Sequence, residues 1–175
     1  MIAIDWTGTE ERNEFTHNAL VNLEQLTGQP PKIRVGGNTE DRTVWSPTVT
    51  FVEASFPPPS SITPYPEATS IIVGDGFYQL SKWLPTGTHM IWGVNLGLNN
   101  VTNAVNMAKS IVKAFGTSEV QSANIHLDLI EVGQSAFLFV SEYTLMPTCF
   151  FMQAMKLICT RTMACVHQTS LRKNM

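Results

Sequence analysis

Met90-Ile91-Trp92-Gly93-Val94-Asn95-Leu96 is a short apolar run with little alternation, and it reads as a strand buried on both faces. Directly after it, Val101, Ala104, Val105, Ala108, Ile111, Val112 and Phe115 recur at helical spacing, started by Asn99 or Asn100 and ended near Gly116. Ile125, Leu127, Leu129, Ile130 and Val132 then crowd into eight residues before Gly133, a further buried strand. Strand, helix and strand in this order predict parallel strands joined by a right-handed crossover. The class is therefore α/β, and two architectures share the pattern: a doubly wound sheet and a (β/α)8 barrel. Periodicity does not choose between them.

Upstream the same alternation continues. Phe15, Ala19, Leu20, Leu23 and Leu26 mark a helix from Asn13 to Leu26, stopped by Thr27-Gly28 and Pro30-Pro31. Lys32-Ile33-Arg34-Val35 is a β-prone run closed by Gly36-Gly37. Residues 38–70 are rich in Thr, Ser and Pro, carry only a weak strand at Val49 to Val52, and form an excursion of the length that often serves function. A strand at Ser70 to Val73 and a short helix through Phe77, Leu80, Trp83 and Leu84 follow.

Composition narrows the function classes. With 43 % hydrophobic residues, 14 % charged residues and a net charge of -3 over 175 residues, the chain offers no electrostatic reason to expect nucleic acid or an anionic membrane as partner. It holds no apolar run long enough to span a bilayer, and Met1-Ile2-Ala3-Ile4-Asp5 lacks the regions of a signal peptide. Residues 1–133 carry seven Lys/Arg against thirteen Asp/Glu, whereas residues 134–175 carry four against one. All three cysteines and five of the eight methionines also lie after position 145, so the tail differs in composition from the body.

Chemistry in either architecture sits at the carboxyl ends of the strands. That points to Arg34-Val35-Gly36-Gly37-Asn38-Thr39-Glu40-Asp41 and to Asn95, although a turn with solvated polar residues accounts for the same composition. Glu131 lies within a strand rather than at its end and reads as a supporting or solvated residue; His126 is assigned no role. Cys149, Cys159, Cys165 and His167 follow no zinc-ligand spacing, so no metal is expected, and the phosphate-cradling, GxSxG and HExxH motifs are absent. No cofactor is implied. Asn100-Val101-Thr102 is a glycosylation sequon, relevant if the protein is exported.

Asn22-Leu23-Glu24-Gln25-Leu26-Thr27-Gly28, Pro30 through Asp41, Ile91-Trp92-Gly93-Val94-Asn95 and Leu129-Ile130-Glu131-Val132-Gly133 together resemble glycoside hydrolase family 79, the fungal β-glucuronidase and heparanase-like enzymes. The resemblance covers about residues 10–133. It implies a (β/α)8 barrel of which residues 1–133 make about the first half, retaining hydrolysis of β-linked glucuronides without metal, and a usually secreted protein. It also implies that Asp41 matches a position holding the sugar and that Asn95, with Asn38, faces the pocket, while glucuronide is the expected partner. No residue here is assigned as catalytic. In the family the glycine matching Gly133 is followed by Asn-Glu, the glutamate being the general acid; here Gln134-Ser135-Ala136 follows, and the family's nucleophile lies beyond residue 175.

The altered composition and the lost motif share one explanation. Gln153 to Ser170 can be encoded so that another frame reads N-E-A-D-L-Y-K-N-N-G-M-R-P, the expected continuation of the family's motif. Gly133-Gln134-Ser135 permits a splice donor GTCAGT, and the CAG of Gln153 an acceptor. Residues 134–175 therefore read as a retained intron with a frameshifted, poorly packing tail, and the early Met1 as a sign of truncation at the other end. The expected product is an inactive glucuronidase-like fragment whose half-barrel exposes apolar strand edges. Two rivals remain: a non-catalytic carbohydrate-binding or interaction module, and a small α/β enzyme using Asp41 and Glu131 as acid and base.

Overall fold

The computed structural model describes residues 6–132. The chain divides into a unit spanning Met1–Ala136, to which these residues belong, and a second unit spanning Phe137–Met175.

The first helix, α1, is Glu14–Thr27. Asn13 caps it by accepting a hydrogen bond from the Thr16 amide at 3.2 Å, and Gly28 ends it in the left-handed conformation (φ 70°) that a side chain would resist. The helix stands where its spacing predicts, but the expected apolar stripe does not face a core: Phe15, Ala19, Leu23 and Leu26 are exposed, Leu20 is half-buried, and Thr16 is the residue the helix buries. His17 ties the helix to the body through the Trp83 carbonyl at 3.0 Å.

Three parallel strands form the principal sheet in the order β1 (Lys32–Val35), β5 (His89–Val94) and β6 (His126–Val132). Lys32 to Val35 pair with His89 to Trp92, and β5 pairs with β6 from His89↔His126 to Val94↔Val132, with one irregularity at Met90/Ile91. Strand order thus follows chain order. The helices α2 (Asp75–Gln79) and α3 (Val101–Phe115) pack against each other, and the Trp92 ring meets Tyr78 and Phe77 edge-on at 5.1 and 5.5 Å. Met90, Trp92 and Val94 from β5 are buried, as are Ala104, Met107, Ala108 and Ile111 from α3, and these make the core. A short helix, α4 (Ser118–Ser122), leads from α3 to β6 and buries Val120.

The expectation that the flanking strands are buried fails for both: in β1 Lys32 and Arg34 are exposed and Ile33 and Val35 half-buried, and no residue of β6 is fully buried. Leu129 is 55 % exposed, and the residues alternating with the core positions are polar: Arg34 pairs with Glu131 at 2.5 Å and His89 Nδ1 lies 2.7 Å from Asp128 Oδ1. One face of the sheet is closed by helices; the other carries this polar surface, and no described element covers Leu129 there.

The excursion is more ordered than its composition predicted. β2 (Thr43–Trp45) pairs in parallel with β4 (Ser70–Val73), and β3 (Val52–Ser55) pairs antiparallel with it, giving a second sheet in the order β2-β4-β3. The predicted strand at Val49 to Val52 is displaced to Val52–Ser55 because the register places Val52 against Val73 and Ser55 against Ser70. Asp75 joins the parts: its Oδ1 accepts from Trp45 Nε1 at 3.0 Å and Ser110 Oγ at 2.5 Å, and its Oδ2 pairs with Lys113 at 2.6 Å.

Candidate functional site

Gly36 and Gly37 end β1, and the φ of 129° at Gly37 lets the chain fold back into a 3-10 turn, Asn38–Arg42. The Glu40 amide closes the turn on the Gly37 carbonyl at 2.9 Å. Within it, Asn38 is exposed, Asp41 is half-buried and Glu40 is only 5 % exposed.

Two glycines of the neighbouring segment make room for the two carboxylates. A Cβ on Gly93 would overlap the Glu40 carboxyl, and one on Gly97 would lie 2.7 Å from Asp41 Cβ and Cγ. The turn therefore lies over the carboxyl end of β5, with Asn95 between the two seats. Asn95 is buried; its Nδ2 donates to the Thr43 carbonyl at 2.7 Å, and its Oδ1 accepts from the Leu98 amide at 3.3 Å. The structure thus brings Asp41 and Asn95 to adjacent strand ends, with Asn38 on the outer side of the same turn, while the Asn95 amide is engaged in fastening β5 to the start of β2.

Glu40, within the candidate segment but given no role of its own by the sequence, is the most deeply buried carboxylate of the turn. Burial, followed by the negative charge of Glu131, pushes its carboxyl up to about 7, against the smaller opposing effects of Arg34 and the Gly37 amide. Neither carboxyl oxygen has a hydrogen-bond partner of good geometry among the described residues. The signal in the sequence was Gly93, a glycine inside an otherwise apolar strand, which marks the close approach of another group. Glu131 is shifted the opposite way: its hydrogen bond to Arg34 lowers its pKa.

Beside Glu40 a cavity of about 420 Å³ opens between the end of the principal sheet and the second sheet. Glu40, Tyr78 and Trp92 line its interior and Phe56 and Tyr65 its lip. Tyr78 Oη and Trp92 Nε1 are buried without hydrogen-bond partners among the described residues, and burial raises the Tyr78 hydroxyl pKa.

Among the described residues no cluster of His, Cys, Asp and Glu could hold a metal ion, and no helix is long and apolar enough to cross a membrane. Cys149, Cys159, Cys165 and His167 lie outside the described residues. Asn100 is exposed and caps α3, its Oδ1 accepting from the Asn103 amide at 3.0 Å.

No protein-family model matches the chain. It is 36 % identical over 95 residues to a β-glucuronidase of Neurospora crassa, a match covering 54 % of this chain and 16 % of that protein. To a β-glucuronidase of Aspergillus niger it is 35 % identical over 99 residues, covering 57 % of this chain and 18 % of the relative. Among solved structures it resembles a 4-O-α-L-rhamnosyl-β-D-glucuronidase from Fusarium oxysporum 12S, crystallised as a Rha-GlcA complex, with a TM-score of 0.52 and 28 % identity over 67 % of this chain and 22 % of that one. The matches thus span less than a quarter of each of these proteins. Over the part compared, the chain is glucuronidase-like, as the motifs of its sequence implied.

Proposed function

We propose that the chain is part of a retaining β-glucuronidase-like glycoside hydrolase of family 79, folded as about the first half of a (β/α)8 barrel, and that it carries part of a glucuronide pocket without the catalytic acid. The observation that carries this reading is the agreement of sequence and fold with glucuronidases over the same residues. Strand order identical to chain order, with the helices α2 and α3 packed together beside one face, supports a singly wound barrel rather than a doubly wound sheet. The uncovered face would then be the barrel's interior.

In this reading Asp41 and Asn38 hydrogen-bond the sugar from the turn after β1, and Asn95 holds the end of β5 in place beside them. Hydrolysis with retention needs an acid and a nucleophile about 5–5.5 Å apart. Gln134-Ser135 stands where the family has Asn-Glu, so the acid is missing and residues 134–175 are the product of a retained intron. If the parent is exported, as the resemblance implies, the exposed Asn100 would carry a glycan.

The test is to incubate the full chain with para-nitrophenyl β-D-glucuronide and, separately, to titrate it with D-glucuronate. No nitrophenol release is expected, whereas glucuronate binds and Asp41→Asn weakens it about tenfold, the loss of one charge-assisted hydrogen bond. Turnover would overturn the inactive reading, and absent or D41N-insensitive binding would overturn the pocket. Binding without turnover by a cooperatively folded monomer whose transcript holds only the present frame would favour a non-catalytic carbohydrate-binding module instead.

A further inference from the structure

We infer that Arg34 is a positioning residue for the turn that carries Asn38 and Asp41: its guanidinium bridges Glu131 on β6 and Glu40 in the turn, across the bare backbone of Gly93. That the turn holds a sugar rests on the glucuronide reading; the bridge rests on geometry.

Strand register puts its parts on one face. Arg34 stands opposite Ile91, and Gly93 opposite Glu131, so Arg34, Gly93 and Glu131 all belong to the face of the principal sheet that no helix covers. Arg34 and Glu131 come from the two outer strands and can meet only over β5, where Arg34 Nε donates to Glu131 Oε2 at 2.5 Å. Glu40 enters the same space from the turn, because a Cβ on Gly93 would overlap its carboxyl.

Gly36 marks how near Glu40 and Arg34 lie. A Cβ built there would stand 2.6 Å from Glu40 Oε2 and 3.4 Å from both Cζ and Nη2 of Arg34, so carboxyl and guanidinium face each other across the gap left by one missing methyl group. Their hydrogen-bonding needs match. Both Glu40 oxygens are closed off from solvent and have no partner among the described residues, so a neighbouring side chain rather than bulk water has to answer them. The Arg34 bond to Glu131 uses only Nε, while a guanidinium carries five N–H donors in a fixed fork. The structure shows the arm to Glu131; the arm to Glu40 closes across the gap at Gly36.

Charge decides when it closes. Four charged groups meet here: Arg34 from β1, Glu131 from β6, and Glu40 and Asp41 from the turn. Burial, then Glu131 and more weakly Asp41, disfavour the ionised form of Glu40, whereas Arg34 and the Gly37 amide favour it. The arm is therefore made as Glu40 ionises and slackens as it takes up a proton, because a neutral carboxyl gives the cation little to hold. Closed, it ties the turn to β1 and β6 and fixes Asp41 against the strand ends.

The full chain, labelled with nitrogen-15 and carbon-13, is followed by NMR from pH 5 to pH 9 without ligand. The signals read are the Glu40 carboxyl, the Arg34 Nε–H and the Asn38 and Asp41 amides, Glu40→Gln and Arg34→Lys identifying the first two. All should move with one midpoint near 7. Arg34→Gln should raise the Glu40 midpoint by about one pH unit or more and shrink the Asn38 and Asp41 response severalfold, while Arg34→Lys, which keeps the charge but not the fork, restores most of the midpoint. An unmoved midpoint in Arg34→Gln overturns the bridge, as does an amide response that Arg34→Gln leaves at full size. Should that variant fail to fold, Glu131→Gln decides: removing a like charge and freeing the guanidinium should lower the midpoint, and an unchanged or raised one overturns the bridge. D-glucuronate then separates the bridge from the pocket. Binding weakened about tenfold by Arg34→Gln and less by Arg34→Lys is expected, and equal binding by all three chains overturns the positioning role. If the unaltered chain binds no glucuronate, the pocket reading fails, while the midpoints still decide the bridge.

Discussion

Glu40 sits where a strand end, a glycine and a 3-10 turn meet, and its placement has a measurable consequence. Its folded-state pKa, about 7, lies above the ordinary 4.5 of an unfolded chain. A group shifted this way favours the folded state fully below pH about 4.5 and loses that contribution as pH rises through about 7. The whole effect is at most about 3 kcal/mol, less where water screens the carboxyl. Denaturant unfolding at pH 5 and pH 8 should therefore show the chain less stable at the higher pH, and Glu40→Gln should remove most of that difference. Gly93→Ala should do the same by a different route, because its Cβ displaces only the flexible end of Glu40 and drives the carboxyl toward water. An unchanged slope in both variants would mean that Glu40 is not the titrating group. The sequence shows Gly93 as the mark of a close approach but not which group approaches, and Glu40 reads there as one more polar residue of a turn; its burial depends on glycines at 36 and 93, which are 57 residues apart.

At the scale of elements, the long regular pieces were legible and the short non-local ones were not. The helix Val101–Phe115 and the strand Lys32–Val35 stand where their apolar spacing put them, since a 15-residue amphipathic helix carries its own period. Strands β2 and β3 hold only three and four residues, and each exists by pairing with β4, so no local pattern announces them. The fastening of that second sheet makes two predictions. A Cβ on Gly74, at the entry to α2, would overlap the backbone carbonyl of Val49, which cannot swing aside as a side chain can. Gly74→Ala should therefore cost about 2 kcal/mol or more in urea unfolding. Asp75, hydrogen-bonded to Lys113, Ser110 and Trp45, has its pKa lowered from 3.8, so its contribution is present above that value and is lost as pH falls below it. Asp75→Asn should cost about 1 kcal/mol at pH 7, allowing for its part exposure, and nearly nothing at pH 2. A cost independent of pH would assign the loss to packing rather than to charge.

For the whole molecule, the question is which part of the chain carries glucuronidase-like information. The chain resembles β-glucuronidases over 95 to 99 residues, whereas at residue 134 the net charge turns from negative to positive and the methionines and cysteines concentrate in the sequence that follows. A change of coding frame alters composition without regard to any fold, and codons permitted by Gln153 to Ser170 would encode N-E-A-D-L-Y-K-N-N-G-M-R-P in another frame, so we propose that residues 134–175 arise from such a change. Sequencing transcript and genomic DNA across the stretch encoding Gly133 to Ala154 should therefore reveal a spliced message that joins the first base of the Gly133 codon to the bases after Gln153 and restores Gly-Asn-Glu. Its protein should hydrolyse para-nitrophenyl β-D-glucuronide, with that glutamate as the acid, while the present chain does not. If every message instead retains the present frame, residues 134–175 are genuine protein, the missing acid is a property of the molecule rather than of one transcript, and binding without hydrolysis becomes the function to be explained.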